Sequence, residues 1–410
     1  MLNVIGGVYQ ERCMKPHWNS VYGSGGRAAL AIAEMGTNVN LHSYVSNEFV
    51  KRYKFNTALL DNATVELFPL NTSEEITFNY AHGLDLFSPP RTSIKENIEI
   101  TAENILIFGM LECSAKVCAN YAVYDPQNTF STESFSKYGS VAKHLALVLN
   151  ESEARKLDNS NCNKSLISLI NDLHIQENAE IIIIKRGPLG ALVSYNATTH
   201  NIPAFETDSV WKIGSGDCFS AHFANNWIIH KDAPEIAAFK ASKATAYYCN
   251  TSILPNTSML EHYHPKPIAL LTSEDAKKLT VYIASPFFTL AQLWMVEQIR
   301  QNLLEMGMSV ISPYHDIGHI DVYSASEDDI RDVCEKDLSS IEKSDVIFGV
   351  VDGIDAGTIF EIGYANALGK KIVLLSENNS KNDLTMFQSK NIKIIDEYVT
   401  AIYKTSWTVI

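Results

Sequence analysis

The sequence predicts an α/β protein of two domains, each built on parallel strands that helices cover. The chain has 410 residues, which is more than one hydrophobic core usually organises. Short apolar runs alternate with amphipathic helical stretches, as in parallel sheets with helical crossovers. The alternation stops near residue 250, where prolines interrupt it, and restarts near residue 280. We therefore predict an N-terminal domain over residues 1–264, a linker over 265–278 and a C-terminal domain over 279–410.

The individual elements follow from these apolar runs and from glycines that act as helix stop signals. The strands predicted for the N-terminal domain are Ile105–Phe108, Ala122–Tyr124, Ala146–Leu149 and Glu180–Ile184. The strands predicted for the C-terminal domain are Val281–Ala284, Val310–Ser312, Val346–Val351 and Lys371–Leu375. The helices predicted between those strands are near Leu290–Met306, Asp328–Ile341 and Thr358–Leu368. The stretch from Asn47 to Asn104 is polar and irregular, and we predict a lid or insertion there.

Composition and charge indicate a globular cytoplasmic protein that acts on small molecules. Hydrophobic residues make up 46% of the chain and charged residues 20%, the balance of a packed domain. The formal net charge of -14 argues against a nucleic-acid polymer or an anionic membrane as the main partner. The seven cysteines are scattered without a C-x-x-C pair, which favours free thiols in a reducing compartment. The N-terminus shows no signal-peptide pattern.

The first motif that carries chemistry is G-S-G-D at residues 214–217. Its glycines let the backbone approach a ligand and direct successive N–H groups at one point. Phe219, Phe223 and Trp227 recur every four residues and predict a helix with one buried face. Asp217 would lie in its first turn, where it could accept the proton of a hydroxyl that attacks a phosphate. A capping aspartate on a glycine-rich turn fits the same residues. The predicted anion-binding residues are Gly214, Ser215 and Gly216.

With its neighbours, this motif resembles the signature of the ribokinase-like (PfkB) carbohydrate kinase family. Five further segments are similar to family motifs, in family order: Gly6 to Glu11, Gly23 to Gly36, Asp125-Pro126, Asn150 to Glu153 and Lys185 to Leu192. The resemblance covers roughly residues 1–262. It implies a three-layer α/β/α fold, ATP and Mg²⁺ as cofactors, and phosphorylation of a sugar or nucleoside hydroxyl with Asp217 as base.

The same resemblance suggests roles for four further residues. Glu11 stands where a sugar-binding aspartate is usual, and Asn150 and Glu153 form the motif associated indirectly with Mg²⁺ and phosphate. Arg27 departs from the family, because a sugar-contacting asparagine is common there, and Trp211-Lys212 replaces an aspartate–threonine pair. Such changes fit a bulkier or charged acceptor, since arginine and lysine bind phosphate. They equally fit a kinase fold that binds a ligand without turnover.

The second motif is D-A-G-T-I-F-E at residues 355–361, directly after a predicted strand. Ligands of open parallel sheets bind at such strand ends, and Gly357 would permit a tight turn that lets Asp355 and Glu361 converge. A glutamate that faces an anomeric carbon can form a covalent glycosyl intermediate. Asp337, in the preceding helix, is a candidate general acid. Taken alone, Asp355 is better explained as a turn residue and Glu361 as an N-terminal helix residue than as catalytic groups.

Together these residues resemble the nucleoside 2-deoxyribosyltransferase family over about residues 279–377. The matching segments are Y-I-A-S-P-F at Tyr282–Phe287, an aspartate at Asp337 and D-x-G-T-x-x-E-x-G-x-A at Asp355–Ala365. The resemblance implies a Rossmann-like, flavodoxin-like parallel sheet that needs no cofactor. It makes Glu361 the nucleophile and Asp337 the group that serves the base.

The remaining roles come from the same family. Asp355 would position the sugar hydroxyls, Gly357 and Thr358 would contact the substrate, and Tyr282 would hold the nucleophile or the sugar. Phe287 and Phe288 would form a wall for the base by stacking, although core packing explains two phenylalanines equally well.

These observations predict a bifunctional enzyme of nucleoside metabolism. The C-terminal domain would cleave or exchange an N-glycosidic bond, and the N-terminal domain would phosphorylate a sugar or nucleoside. In the alternative, the N-terminal domain senses a nucleotide or sugar phosphate and controls a hydrolytic C-terminal domain. The expected partners are nucleosides, nucleotides and pentoses, and we expect a homo-oligomer because both families commonly self-associate.

Overall fold

The computed structural model describes residues 1–61, 63–85, 90–127, 132–158, 164–268, 279–318 and 325–408. Its chain divides into two compact units, residues 1–268 and 269–410. Residues 265–268 of the predicted linker pair with the first unit, since the Ile268 N–H donates to the Ala204 carbonyl at 2.9 Å. Residues 269–278 of that linker lie outside the described residues.

A nine-stranded sheet organises the first unit. The strands of this unit are β1 (Leu2–Ile5), β2 (Gln10–Cys13), β3 (Trp18–Val21), β4 (Val39–Val45), β5 (Val65–Asn71), β6 (Thr77–Tyr80), β7 (Ile98–Phe108), β8 (Ala115–Asp125), β9 (Val141–Asn150), β10 (Ile181–Lys185), β11 (Ala191–Tyr195) and β12 (Thr198–Ile202). The order in the sheet is β12-β11-β10-β9-β8-β7-β1-β4-β5. The pairs from β10 to β5 are parallel, whereas β11 and β12 add as antiparallel strands. The four strands predicted for this unit are confirmed.

Helices cover both faces of this sheet. They are α1 (Gly23–Glu34), α2 (Asn47–Thr57), α3 (Glu151–Leu157), α4 (Leu166–Gln176), α5 (Ser215–Ala224), α6 (Pro234–Thr251) and α7 (Thr257–His262). Side chains of α1, α2, α5 and α6 share one apolar core with the sheet, and those of α3 and α4 share a second one. The predicted three-layer α/β/α arrangement is confirmed. On α5, Phe219 and Phe223 are buried as predicted, and Trp227 is buried in the π-helical turn that follows it.

The segment 47–104 is more regular than the sequence predicted. It contributes helix α2 to the first unit and strand β5 to the edge of the nine-stranded sheet. Strand β6 pairs with β2 in a separate three-stranded sheet of order β3-β2-β6. Helix α2 begins where Ser46 Oγ accepts from the Phe49 N–H at 3.1 Å, and it buries only Phe49 and Tyr53. Such a narrow apolar face in a polar segment gives a weak periodic signal, which explains why the sequence indicated an irregular stretch here.

The second unit contains one fully parallel five-stranded sheet. Its strands are β13 (Thr280–Ala284), β14 (Ser309–Ile311), β15 (Val346–Val350), β16 (Lys371–Leu375) and β17 (Ile392–Ile395). The order β14-β13-β15-β16-β17 corresponds to 2-1-3-4-5 in chain order. This is the flavodoxin-like order, whose switch point lies between the first and third strands. The predicted flavodoxin-like sheet is therefore confirmed.

The helices of this unit are α8 (Leu290–Glu305), α9 (Glu327–Lys343), α10 (Ala356–Ala367) and α11 (Tyr398–Thr408). The first three were predicted, whereas β17 and α11 were not. Helix α11 buries polar side chains such as Thr400 and Thr405 among its apolar ones, so hydrophobic periodicity does not reveal it. Within the described residues, no helix is both long and apolar enough to cross a membrane.

The cysteines that the structure describes are free thiols, as the sequence predicted. Cys162 lies outside the described residues.

A close contact between backbones joins helix α1 to strand β1. The Gly25 N–H donates to the Gly7 carbonyl at 3.1 Å. A Cβ added at Gly25 would lie 2.5 Å from the carbonyl carbon of Gly6, a distance that side chains do not tolerate. Glycine at residue 25 therefore lets the helix approach the end of the central strand.

We predict that Gly25→Ala destabilises the chain by about 1–3 kcal/mol, because the backbones must separate. The matched control is Gly363→Ala in α10, where an added Cβ meets nothing within 4 Å. This control should be neutral or stabilising by about 0.5–1 kcal/mol, because alanine favours helix. Differential scanning calorimetry of the full chain measures both variants. An unfolding profile of Gly25→Ala that matches the wild type would contradict the assignment.

Candidate functional sites

Seven strands of the first unit end at one edge of its sheet, because β10, β9, β8, β7, β1, β4 and β5 run parallel. A cavity of about 590 Å³ opens there, at the edge where ligands of open α/β sheets bind. The residues that the sequence predicted for this unit all line it: Glu11, Arg27, Asn150, Glu153, Gly214, Ser215, Gly216 and Asp217. The fold thus collects residues from opposite ends of the domain into one site.

The G-S-G-D motif forms the beginning of helix α5. Gly214 precedes the helix in the left-handed conformation, with φ of 78°, and Asp217 lies in the first turn as predicted. The alternative of a capping aspartate is wrong, because no side chain caps this helix. Lys212 Nζ donates to Ser215 Oγ at 2.9 Å, so a cation stands beside the helix N-terminus. This combination favours a bound phosphate group.

Arg27 joins two acidic side chains of this cavity in a buried cluster. Its Nη1 donates to Asp217 Oδ2 at 2.7 Å and to Glu11 Oε1 at 3.0 Å, and its Nη2 donates to Glu11 Oε2. The relative exposure is 1% for Arg27, 4% for Glu11 and 5% for Asp217. Burial opposes the charge of Arg27, but the Glu11 and Asp217 carboxylates outweigh it and raise the Arg27 pKa above its ordinary value. Arg27 is therefore held as a cation between two acidic side chains.

A second ion pair joins Lys185, which lines the same cavity, to the fully buried Asp125. Lys185 Nζ donates to Asp125 Oδ2 at 2.7 Å, and the Ser220 hydroxyl donates to the same oxygen at 2.6 Å. Burial would lower the pKa of Lys185, but Asp125 and Glu153 outweigh burial and raise it. From the sequence, Lys185 was recognised only as the first residue of a segment that resembles a motif of the kinase family. Its position at the end of an apolar strand, beside the predicted anion site, is the signal that could have identified it.

Asn150 and Glu153, the residues predicted near Mg²⁺, form a reciprocal cap on helix α3. The Glu153 N–H donates to Asn150 Oδ1 at 2.8 Å, and the Asn150 N–H donates to Glu153 Oε2 at 2.7 Å. Across the described part of the chain, no three His, Cys, Asp or Glu side chains form a metal cage. Glu153 nevertheless fits Mg²⁺, which proteins commonly bind through one carboxylate, waters and substrate phosphates.

The second unit brings three of its predicted residues together at the switch point of its sheet. Tyr282 projects from β13, and its hydroxyl donates to Glu361 Oε1 at 2.9 Å. The same hydroxyl lies 3.4 Å from Asp337 Oδ1 on helix α9. Glu361 occupies the second turn of α10, not its N-terminus, so the interpretation as a residue favoured by the helix dipole is wrong. Two carboxylates and a phenol thus form one connected group.

Burial sets the protonation of these carboxylates. It raises the pKa of Glu361 to about 8, with Asp337 and Asp355 adding repulsion and the Tyr282 hydrogen bond acting in the opposite direction. Burial likewise raises the pKa of Asp337 above its ordinary value, and the contact of the Tyr282 hydroxyl with Asp337 acts in the opposite direction. A carboxyl group with a raised pKa can donate a proton near neutral pH, as a general acid must.

Asp355 caps helix α10 and also borders this group. Its Oδ2 accepts from the Thr358 N–H at 2.8 Å and from the Thr358 hydroxyl at 3.0 Å. Its Oδ1 makes no hydrogen bond to the described residues, so one oxygen stays open to a ligand. Gly357 does not provide the turn that the sequence predicted, because it lies inside α10. The turn comes from Gly353 and Ile354, whose φ values are 86° and 47°.

Aromatic side chains stand beside the end of β13. Phe287 is half-buried and Phe288 is exposed, with ring centroids 5.2 Å apart. Tyr314, which sequence reasoning missed, lies 5.7 Å from the Phe287 ring. Core packing therefore does not explain Phe288. An accessible aromatic surface of this kind suits the stacking of a planar ring.

Comparison with known proteins finds partial similarity to sugar kinases. The chain is 35% identical over 65 residues to a 2-dehydro-3-deoxygalactonokinase of Haloferax volcanii, a match that spans 16% of this chain and 20% of that relative. A fructokinase of Vibrio cholerae, solved with fructose, ADP and calcium, is 13% identical with a TM-score of 0.46, over 64% of this chain and 98% of its own. A ribokinase of Thermotoga maritima is 14% identical with a TM-score of 0.45, over 64% and 98%.

Family models match each unit separately. The pfkB family carbohydrate kinase model matches residues 114–251, which include Asp125, Lys185 and the G-S-G-D motif. The nucleoside 2-deoxyribosyltransferase model matches residues 281–393, which include Tyr282 and Glu361. The chain therefore contains a pfkB family carbohydrate kinase domain and a nucleoside 2-deoxyribosyltransferase domain.

Proposed function

We propose that the C-terminal domain cleaves the N-glycosidic bond of a nucleoside or nucleotide, with Glu361 as the nucleophile. The observation that carries this proposal is the hydrogen-bonded group of Glu361, Tyr282 and Asp337. It lies at the switch point of a 2-1-3-4-5 sheet, where such folds bind ligands. A carboxylate, a second carboxyl group and a phenol are sufficient to break a glycosidic bond in two steps.

Each residue has a defined part in the proposed reaction. The Glu361 carboxylate attacks the anomeric carbon, the bond to the base breaks, and Asp337 acts as the general acid that gives a proton to the departing base. Tyr282 holds the nucleophile in place through its hydroxyl. The open Oδ1 of Asp355 accepts from a sugar hydroxyl, and Phe287 stacks on the base. A second base or water then attacks the anomeric carbon, gives its proton to the Asp337 carboxylate and releases Glu361.

We propose that the N-terminal domain binds a phosphate-bearing nucleotide such as ATP together with Mg²⁺. The N-terminus of α5 and the side chains of Lys185 and Lys212 supply positive potential in one cavity. Glu153 would hold the metal with waters and phosphate oxygens, and the metal would neutralise phosphate charge. Asp217 is the residue whose carboxylate would take a proton from an acceptor hydroxyl. The sensor alternative is favoured by a specific observation, the engagement of Asp217 by Arg27.

Glu361→Gln should lower the rate of base release by at least ~10³-fold, because an amide cannot serve as the nucleophile. The measurement is chromatography of products from a panel of nucleosides and their 5′-phosphates, with and without a free acceptor base. Exchange of bases identifies a transferase, and free sugar alone identifies a hydrolase. The matched control is Glu335→Gln, an exposed carboxylate on the same helix as Asp337, which should behave as wild type. Full activity of Glu361→Gln would contradict the proposal.

The rate should rise with pH as Glu361 loses its proton, because only the carboxylate is nucleophilic. We expect the ascending limb of kcat/KM to reflect a pKa of about 8. Tyr282→Phe removes the hydrogen bond that lowers this pKa, so its ascending limb should move to higher pH. The pH profiles of both proteins on the same nucleoside measure this. A shift to lower pH would show that the hydroxyl does not stabilise the ionised glutamate.

Glu361→Gln should also stabilise the folded domain, increasingly as pH rises. The folded state keeps Glu361 protonated up to about pH 8, whereas the unfolded chain releases the proton above its ordinary pKa of 4.5. The wild type therefore loses stability between these values, and the variant does not. The difference should reach ~2–4 kcal/mol at pH 8. Urea unfolding at pH 5 and pH 8 tests it, and an equal difference at both would contradict the assigned pKa.

A further inference from the structure

Arg27 occupies the part of the N-terminal cavity that adjoins Asp217. Its guanidinium lies against Gly214, where an added Cβ would be 2.1 Å from the Arg27 Cζ. The Tyr22 ring stands on its other side, with its centroid 5.0 Å from the same carbon. The carboxylates of Glu11 and Asp217 accept hydrogen bonds from the two terminal nitrogens of the guanidinium group. The arginine is thus enclosed by a backbone turn, an aromatic ring and two carboxylates.

We propose that Arg27 is an internal plug, which fills the acceptor position of the N-terminal domain and holds Asp217 in an ion pair, so that the domain binds ATP without transferring its phosphate. The proposal rests on the nucleotide binding proposed above. It decides between a domain that transfers phosphate and a sensor that only binds the nucleotide. It makes this domain a binding module for a phosphate-bearing nucleotide, in which one side chain, that of Arg27, prevents phosphate transfer.

A neutral sugar or nucleoside hydroxyl cannot readily displace this arginine. Three charge-assisted hydrogen bonds would have to break, and hydrogen bonds of an alcohol would replace them only in part. The displaced guanidinium would leave two carboxylates facing each other in a site that is almost closed to solvent. Unpaired buried charges of one sign are strongly unfavourable. The cluster is therefore stable against the very ligands that a kinase of this family phosphorylates.

The same contact removes Asp217 from the chemistry. A general base must reach the acceptor hydroxyl within hydrogen-bond distance and must be free to take its proton. Asp217 Oδ2 instead accepts from Arg27 at 2.7 Å, and the guanidinium does not give up its charge. The binding of phosphate is unaffected, because Lys185 and Lys212 lie elsewhere on the wall of the cavity and are engaged with other partners.

The test compares the wild type with a charge-balanced variant, Arg27→Asn with Glu11→Gln. This pair of changes removes one positive and one negative charge and leaves the Asp217 carboxylate unpaired. Binding of MgATP is measured by titration calorimetry, and ADP formation is measured with ribose, 2-deoxyribose and a panel of nucleosides. Near-ultraviolet circular dichroism and the unfolding midpoint report whether each variant folds.

We expect the wild type to bind MgATP and to form ADP no faster than its Asp217→Asn variant. The charge-balanced variant should bind MgATP as the wild type does and form ADP at least ~100-fold faster with an acceptor, the gain that a freed general base provides. Adding Asp217→Asn to it should abolish the gain. A purely structural arginine would give no such gain, because its removal would only weaken the fold.

Two results would overturn the plug. One is transfer by the wild type that Asp217→Asn abolishes, and the other is a folded, MgATP-binding variant that gains no activity. If the charge-balanced variant does not fold, the wild type alone decides. Binding of MgATP without Asp217-dependent transfer supports the plug, and Asp217-dependent transfer overturns it. Absence of MgATP binding is a different outcome, since it refutes the nucleotide binding itself and with it the plug.

Discussion

Parallel strand pairing is the constraint on which both sites depend, because it brings the carboxyl ends of the parallel strands to one edge of each sheet. In the N-terminal domain, the pairing of β9 with β10 places Asn150 and Lys185 on one cavity wall, and the pairing of β8 with β9 brings the buried Asp125 within reach of Lys185. In the C-terminal domain, the pairing of β13 with β15 sets Tyr282 beside the helix that carries Glu361. Neither site is continuous in sequence, and each exists only after its sheet has formed.

Burial of charge has opposite consequences in the two sites. Glu361 is buried with other acidic groups and a phenol, so its pKa rises and the carboxyl group holds a proton near neutral pH. Arg27 is buried between two carboxylates, which together outweigh the loss of solvent and fix it as a cation. The first arrangement leaves a carboxyl group that can change its protonation during a reaction. The second engages all three charged groups with one another and leaves little for a ligand to exchange.

The sequence was sufficient for the fold class and for the residues that share a site, because motifs and apolar runs are local signals. It was not sufficient for pairings that only the folded chain creates. The distance between Arg27 and Asp217 in sequence hides their contact, so the substitution at residue 27 could be noticed but not interpreted. The turn before α10 was assigned to Gly357, whereas Ile354 takes part of it at positive φ against the usual preference of its side chain. Helix α11 and the elements of 47–104 had too little apolar periodicity to be recognised.

The central claim is that Glu361 forms a covalent bond to the sugar while the base departs. The most direct measurement is mass spectrometry of the intact chain and its peptides after incubation with a nucleoside fluorinated at the sugar 2′ position. The fluorine destabilises the positive charge that develops on the sugar, so the intermediate should persist. The account predicts a mass increase of one fluorinated sugar on the peptide that contains Glu361, with the free base released in equal amount. Release of the base without a labelled Glu361 peptide, or with the sugar on another residue, would contradict it.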